Sequence, residues 1–177
     1  MTIFTGLFYT LFVTVIGRTL FPSKVGGSLV SDNGKLRGSA LIGQKSDSSA
    51  YFWSRPSAVD YNPVPSGASN LGPVSRALRK TVTERRRKFA EVNSVPDSVA
   101  IPAEMIFASA SGLDPHISPA AAIMQAGRIV KARNFTEDQH KRLLLLIGKM
   151  TENPQFNILG EPRINVFLLN LSLDRMK

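Results

Sequence analysis

No charged side chain occurs among the first seventeen residues, Met1 to Gly17, and nothing later in the chain repeats this. After Arg18 the apolar run continues through Thr19, Leu20 and Phe21 to Pro22. Coiled as an α-helix, Met1 to Phe21 would extend about 31 Å, which matches the hydrocarbon core of a bilayer. A secretory signal peptide needs basic residues ahead of its apolar core and a small-residue cleavage site behind it. Here no Lys or Arg precedes the run, and Thr19-Leu20-Phe21 is not an Ala-x-Ala site. A buried core helix is rarely twenty apolar residues long. Length therefore predicts one transmembrane helix over residues 1–21, a linker over 22–34 and a soluble domain over 35–177.

Thr2, Gly6, Thr10 and Thr14 recur at spacings of four along this helix, with Gly17 close by. Small residues at that spacing allow close approach of a second helix backbone in lipid. The chain offers no second apolar span, so such a helix would come from another polypeptide. Alternatively, the threonine hydroxyls bond back to carbonyls of their own helix. The pattern alone does not separate the two.

The remaining ~155 residues suit one domain with a real core and no need of metal or disulfide staples. The absence of cysteine excludes disulfides, thiolate catalysis and Cys-based metal sites. With only His116 and His140, a His-rich metal centre is excluded as well, and no metal is expected. Net charge is +9, which raises nucleic acid and acidic lipid as partner classes. Most of it comes from Arg76 to Lys88, where seven basic residues face Glu84 alone. That stretch is amphipathic, with Leu78, Val82, Phe89 and Val92 on one face. It reads as a surface helix with a solvated cationic side. No recognisable nucleic-acid module accompanies it, so no nucleic acid is expected as partner.

Lys35 to Gln44 is a short strand candidate. Tyr51, Phe52 and Trp53 form an aromatic strand or loop, stopped by Pro56. Ala58 to Pro73, rich in Pro, Gly, Ser and Asn, is a long structured loop. A helix over 75–93 follows, then one or two helical turns over 103–108. Ser118-Pro119 marks a helix start running to about Arg133, with Ile123, Ala126 and Val130 inward. Thr136 caps another helix, with Gln139 completing a capping box and Leu143, Leu144, Leu146 and Ile147 as its apolar residues. Arg163 to Leu173, mostly alternating and rich in Val, Leu and Ile, reads as a strand. The class is α+β: an N-terminal transmembrane helix, then a mixed domain of three main helices and a small sheet.

Few residues suggest chemistry. Asp114, His116 and Ser118 have the composition of a triad, but three alternating positions on one Pro-flanked loop are poorly placed to aim at one another. Asp114 reads as a turn cap, His116 as a loop residue and Ser118 as a helix cap. A membrane-tethered hydrolase using this loop is the alternative reading. No P-loop or dinucleotide fingerprint occurs. Ser109-Ala110-Ser111-Gly112 is small and flexible enough to lie against a phosphate, but a tight turn needing small residues explains it far better. Trp53 beside Arg55 is a composition common at protein interfaces.

The loops also carry a family resemblance. Gly38-Ser39-Ala40-Leu41-Ile42-Gly43-Gln44 and Tyr51-Phe52-Trp53-Ser54-Arg55-Pro56-Ser57-Ala58 resemble the C subunit of the Kdp potassium-transporting P-type ATPase, KdpC. Ser66 to Pro73, Ser111 to Ala122, Gly160 to Val166 and Leu169 to Asp174 continue the match in the family's order. The sequence departs from the family pattern at Ala68, where Gly is frequent, at Ser46, where Phe is, and at Leu168, where an acid is. The family has a short, often basic segment before a longer apolar run, so the membrane helix here is expected to be N-terminally shortened.

The resemblance implies a non-catalytic subunit of an ATP-driven potassium import complex. Its partners would be a channel-like potassium-selective subunit, a P-type ATPase subunit and the membrane. It implies a single-pass protein of the cell (inner) membrane, with its domain on the extracytoplasmic side. Such subunits are described as catalytic chaperones that raise ATP affinity in the ATPase subunit. A physically simpler role is to stabilise the assembly and cover the potassium entrance. ATP would be met only through the partner. Candidate contact loops are Trp53, Arg55, Ser69, Asn70, Ser111, Gly112, Asp114 and His116. Arg18 and Lys24 follow the apolar run with no side-chain charge before it, and the positive-inside rule would place the domain in the cytoplasm instead.

Overall fold

A computed structural model describes residues 1–176, which divide into a unit of residues 1–41 and a second from Ile42 onward. In the first unit the backbone is helical from Thr2 to Leu20, but not uniformly. A wide π-helical segment, Phe4–Tyr9, precedes α1 (Thr10–Leu20), and Pro22 starts the short α2 (Pro22–Val25). Among the described residues, no helix is long and apolar enough to cross a membrane. The physical reason is this interruption, which leaves α1 with eleven residues. The large apolar residues of the run are exposed, including Ile3, Phe4, Phe8, Leu11 and Phe12.

The segment 22–34 is more than a linker. β1 (Leu29–Asp32) pairs antiparallel with β2 (Lys35–Ser39) across Asn33 and Gly34. Both turn residues have positive φ, 52° and 74°, which is the geometry of a type I′ hairpin turn.

In the second unit the helices begin where their caps direct. Leu78 N–H donates to Ser75 Oγ at the start of α3 (Arg76–Asn93), and Ala121 N–H donates to Ser118 Oγ at the start of α4 (Pro119–Arg133). A full Thr136/Gln139 capping box opens α5 (Glu137–Met150). α3 and α4 end on Ser94 and Asn134 in the left-handed region. The core gathers Phe52, Phe89, Met105, Ile117, Ala122, Ile129, Leu143, Ile147 and Leu169 between α4, its neighbours and the loops.

Three expectations change. Ile123 is exposed, because the inward stripe of α4 runs through Ala121, Ala122, Gln125, Ala126 and Ile129. Leu144 is exposed too, whereas Leu143 and Ile147 are buried. The segment expected as a strand over 163–173 pairs only at β4 (Ile164–Asn165), antiparallel to β3 (His116–Ile117), and then turns into α6 (Val166–Asp174). Asn165 decides this by accepting from Leu168 N–H at 3.1 Å as an N-cap. Val166, Leu169 and Leu173 then bury at helical spacing. The second unit is α+β, with four helices of nine residues or more, α3 to α6, and the two-stranded β3–β4 ladder; the β1–β2 ladder belongs to the first unit.

Candidate functional site

The loops that carry the resemblance converge in the second unit. Asp114 stands at the centre. Arg55 Nη1 donates to its Oδ2 at 2.8 Å, His116 N–H donates to its Oδ1 at 3.0 Å, and the His116 ring Nδ1 lies 3.2 Å from the same oxygen. Partial burial pushes the Asp114 carboxyl up. The bonds from His116 and Arg55 outweigh that and bring it down to about 2. Arg55 Nε is buried without a hydrogen-bond partner among the described residues.

Backbone contacts fix this loop. Gly43 N–H donates to the Leu113 carbonyl at 2.7 Å, and a Cβ on Gly43 would sit 2.8 Å from the Asp114 carbonyl oxygen. Gly112 has φ +70°, and a Cβ there would lie 2.9 Å from the Gly67 carbonyl. Gly67 N–H in turn donates to Ser111 O at 3.1 Å, and Val166 N–H donates to Pro115 O at 2.9 Å.

The Asp114–His116 pair forms, but no triad does: the Ser118 hydroxyl accepts from Ala121 N–H as a helix cap. His116 lies on β3 rather than in a loop. Among the described residues no cluster of His, Asp and Glu could hold a metal ion.

Next to this centre, Phe52 and Trp53 are held by side-chain amides. Phe52 N–H donates to Asn170 Oδ1 at 2.8 Å, and Asn170 Nδ2 donates back to Phe52 O at 2.9 Å. Gln125 does the same for Trp53, at 2.7 and 3.3 Å. The Arg128 guanidinium lies 4.5 Å from the centroid of the Trp53 ring and is 7% exposed. It donates to Asn93 Oδ1, the Ser48 and Ser49 carbonyls and Gln125 Oε1. Burial lowers its pKa to about 10, which leaves it charged at neutral pH. Arg133 lies over Tyr51 and pairs with Asp174 at 2.7 Å, and the Tyr51 hydroxyl reaches the same carboxylate.

A family model described as KdpC, K+-transporting ATPase, c chain, matches residues 1–175. The chain belongs to the KdpC family. Potassium-transporting ATPase KdpC subunits of Burkholderia orbicola and Geobacter metallireducens are each 46% identical to it. The matches cover 98% and 99% of this chain, and 90% and 92% of those proteins. The corresponding subunit of Methylococcus capsulatus is 44% identical, over 99% of this chain and 92% of its own. As a KdpC chain, the protein is an accessory subunit of a potassium-transporting ATPase complex, not the catalytic one.

For a KdpC chain the placement of the expected contact residues is informative. Trp53, Arg55, Gly112, Asp114 and His116 are brought together or locked into internal bonds. Ser69, Asn70 and Ser111 are exposed at the edge of the same loops. On the N-terminal helical run, Thr10 Oγ1 donates to Gly6 O at 3.0 Å and Thr14 Oγ1 to Thr10 O at 2.7 Å, so these hydroxyls are satisfied within their own helix. Sequence reasoning missed Gln125, Arg128 and Asn170. Gln125 and Arg128 are polar residues on a helix otherwise read by its apolar positions, and Asn170 lies in the segment expected as a strand. For Gln125 and Arg128 the available signal was their spacing with Ala122, Ala126 and Ile129, which puts them on the buried stripe. A second missed feature is the turn at 154–160. There Phe156 is 86% exposed and Ile158 80%, with Leu159 beside them.

Proposed function

We propose that the chain works by binding. It joins the channel-like potassium-selective subunit and the P-type ATPase subunit of its complex, stabilises their assembly and covers the extracytoplasmic potassium entrance. The observation that carries this reading is apolar surface left uncovered around a chain that already packs its own core. Phe156, Ile158 and Leu159 crown a turn closed by the Gln155–Leu159 bridge, with Phe156 and Asn157 both at positive φ. Contiguous exposed apolar groups of this kind mark interaction sites. The exposed edges at Ser69, Asn70 and Ser111 extend the contact surface.

The helical run 2–20 serves as a single membrane anchor. Its exposed apolar side chains suit lipid, and as a helix it reaches about 28 Å. Gly6 has open space where a side chain would go. Gly6→Leu therefore leaves this chain undisturbed and blocks a helix docking on the Thr2/Gly6/Thr10/Thr14 face. Phe8→Leu and Phe12→Leu serve as controls that retain assembly. External placement separates the domain from cytosolic ATP, which favours covering the entrance over direct assistance to ATP binding. Protease added outside intact cells tests the placement: cleavage of the domain is expected, and full protection contradicts it.

A further inference from the structure

A cavity of about 230 Å³ opens beside α3 and belongs to neither the Asp114 centre nor the apolar turn. Trp53, Phe89 and Met105 give it an apolar wall, and three cations line it: Lys45, Arg85 and Lys88. Their charges are unevenly compensated. Lys45 Nζ is 2.7 Å from Asp60 and 4.0 Å from Asp47. Arg85 and Lys88, on the same side of α3, have no carboxylate partner among the described residues. Arg85 donates one bond, from Nη1 to the Ile106 carbonyl at 3.3 Å, which leaves most of its donor fork unused. Lys88 Nζ lies 5.7 Å from the Trp53 centroid. Ser54, 8% exposed, also lines the cavity, and its hydroxyl makes no hydrogen bond among the described residues.

We propose that this cavity binds a small organic carboxylate with an apolar or aromatic body. Its carboxylate bonds Arg85, Lys88 and the Ser54 hydroxyl, and its body packs on Trp53, Phe89 and Met105. Two uncompensated cations match one carboxylate, and a planar guanidinium fork fits its two oxygens. Asp47 and Asp60 share the lining and disfavour a polyanion. The volume lies below the roughly 300–1,000 Å³ of pockets that enclose drug-sized ligands, which selects a small body.

Trp53 is the only tryptophan, so its fluorescence reports this cavity. The test titrates the full chain in detergent with 3-phenylpropionate, 3-phenylpropionamide, acetate and inorganic phosphate, with calorimetry as a second readout. The carboxylate should bind saturably at one site. The neutral amide, acetate and phosphate should each bind about tenfold more weakly or worse. Arg85→Gln and Lys88→Gln should each weaken 3-phenylpropionate by about tenfold, and Arg85→Lys by less. Lys88 is exposed, so Lys88→Gln keeps the test valid if Arg85→Gln fails to fold. Absence of saturable binding overturns the proposal. So does equal affinity for the amide or for phosphate, or affinity unchanged by Lys88→Gln.

Discussion

Asn170 makes both backbone hydrogen bonds of Phe52, accepting from its N–H and donating to its carbonyl. One side-chain amide thus replaces the neighbouring strand that an extended aromatic segment would otherwise need. Phe52 is fully buried, so these backbone groups have no access to water. Asn170→Leu should strand both, at about 1–3 kcal/mol each. Thermal unfolding of the full chain in detergent should show a clear fall in midpoint. Phe52→Ala should cost about 3–5 kcal/mol through the cavity it leaves.

Arg128 is a buried cation satisfied by neutral acceptors: two carbonyls, two side-chain amide oxygens and the face of Trp53. Arg128→Ala takes the donor from Asn93 Oδ1 and the Ser49 carbonyl, while Gln125 Oε1 and the Ser48 carbonyl keep bonds from Trp53, and should destabilise by about 3 kcal/mol. Arg128→Lys should recover only part of this, because an ammonium cannot reproduce the planar fork. Urea unfolding curves compare the two.

Acid should act through Asp114. Its carboxyl is held down to about 2 in the fold, against an ordinary 3.8. A depressed carboxyl stabilises the fold fully above its ordinary value. That contribution is lost as pH falls from 3.8 toward about 2. Unfolding midpoints measured across this window should fall for the parent chain, and Asp114→Asn should remove that part of the slope.

Two glycines should tolerate no side chain. At Gly43 a methyl group would meet the Asp114 carbonyl at 2.8 Å, and at Gly112 both φ +70° and the Gly67 carbonyl oppose it. Gly43→Ala and Gly112→Ala should each cost about 1–3 kcal/mol. At exposed Gly148, with open space around it, the same change should be neutral or slightly stabilising. Circular dichroism on heating distinguishes these outcomes.

His116→Ala removes a ring that bonds Asp114, while the Ser118 hydroxyl is engaged as the cap of α4. Assembly and potassium transport should therefore remain largely intact. Complete loss of transport with normal assembly would point to direct chemistry at this loop.

Features decided locally were legible in the sequence. Ser75, Ser118 and Thr136 cap their helices because each cap uses residues within one turn. Asn33-Gly34 is equally local, and the hairpin it makes was there to be read. The last element was not, since an apolar run flanked by Pro162 satisfies a strand pattern until Asn165 supplies a cap. The clamps on Phe52 and Trp53 depend on residues about seventy or more positions away, which no local pattern encodes. The Arg55–Asp114 bond is likewise tertiary, although both residues stood among the candidates.

On the proposed reading, this KdpC chain acts by docking on its partners through uncovered apolar surface. The most direct measurement is co-elution in detergent with a channel-like subunit and a P-type ATPase subunit, for the parent chain and for the Phe156→Ser/Ile158→Ser double variant. The parent should elute with both subunits, and the variant, folded by circular dichroism, should elute largely apart from them. A parent chain that elutes alone, or a folded variant that co-elutes as fully as the parent, would contradict the account.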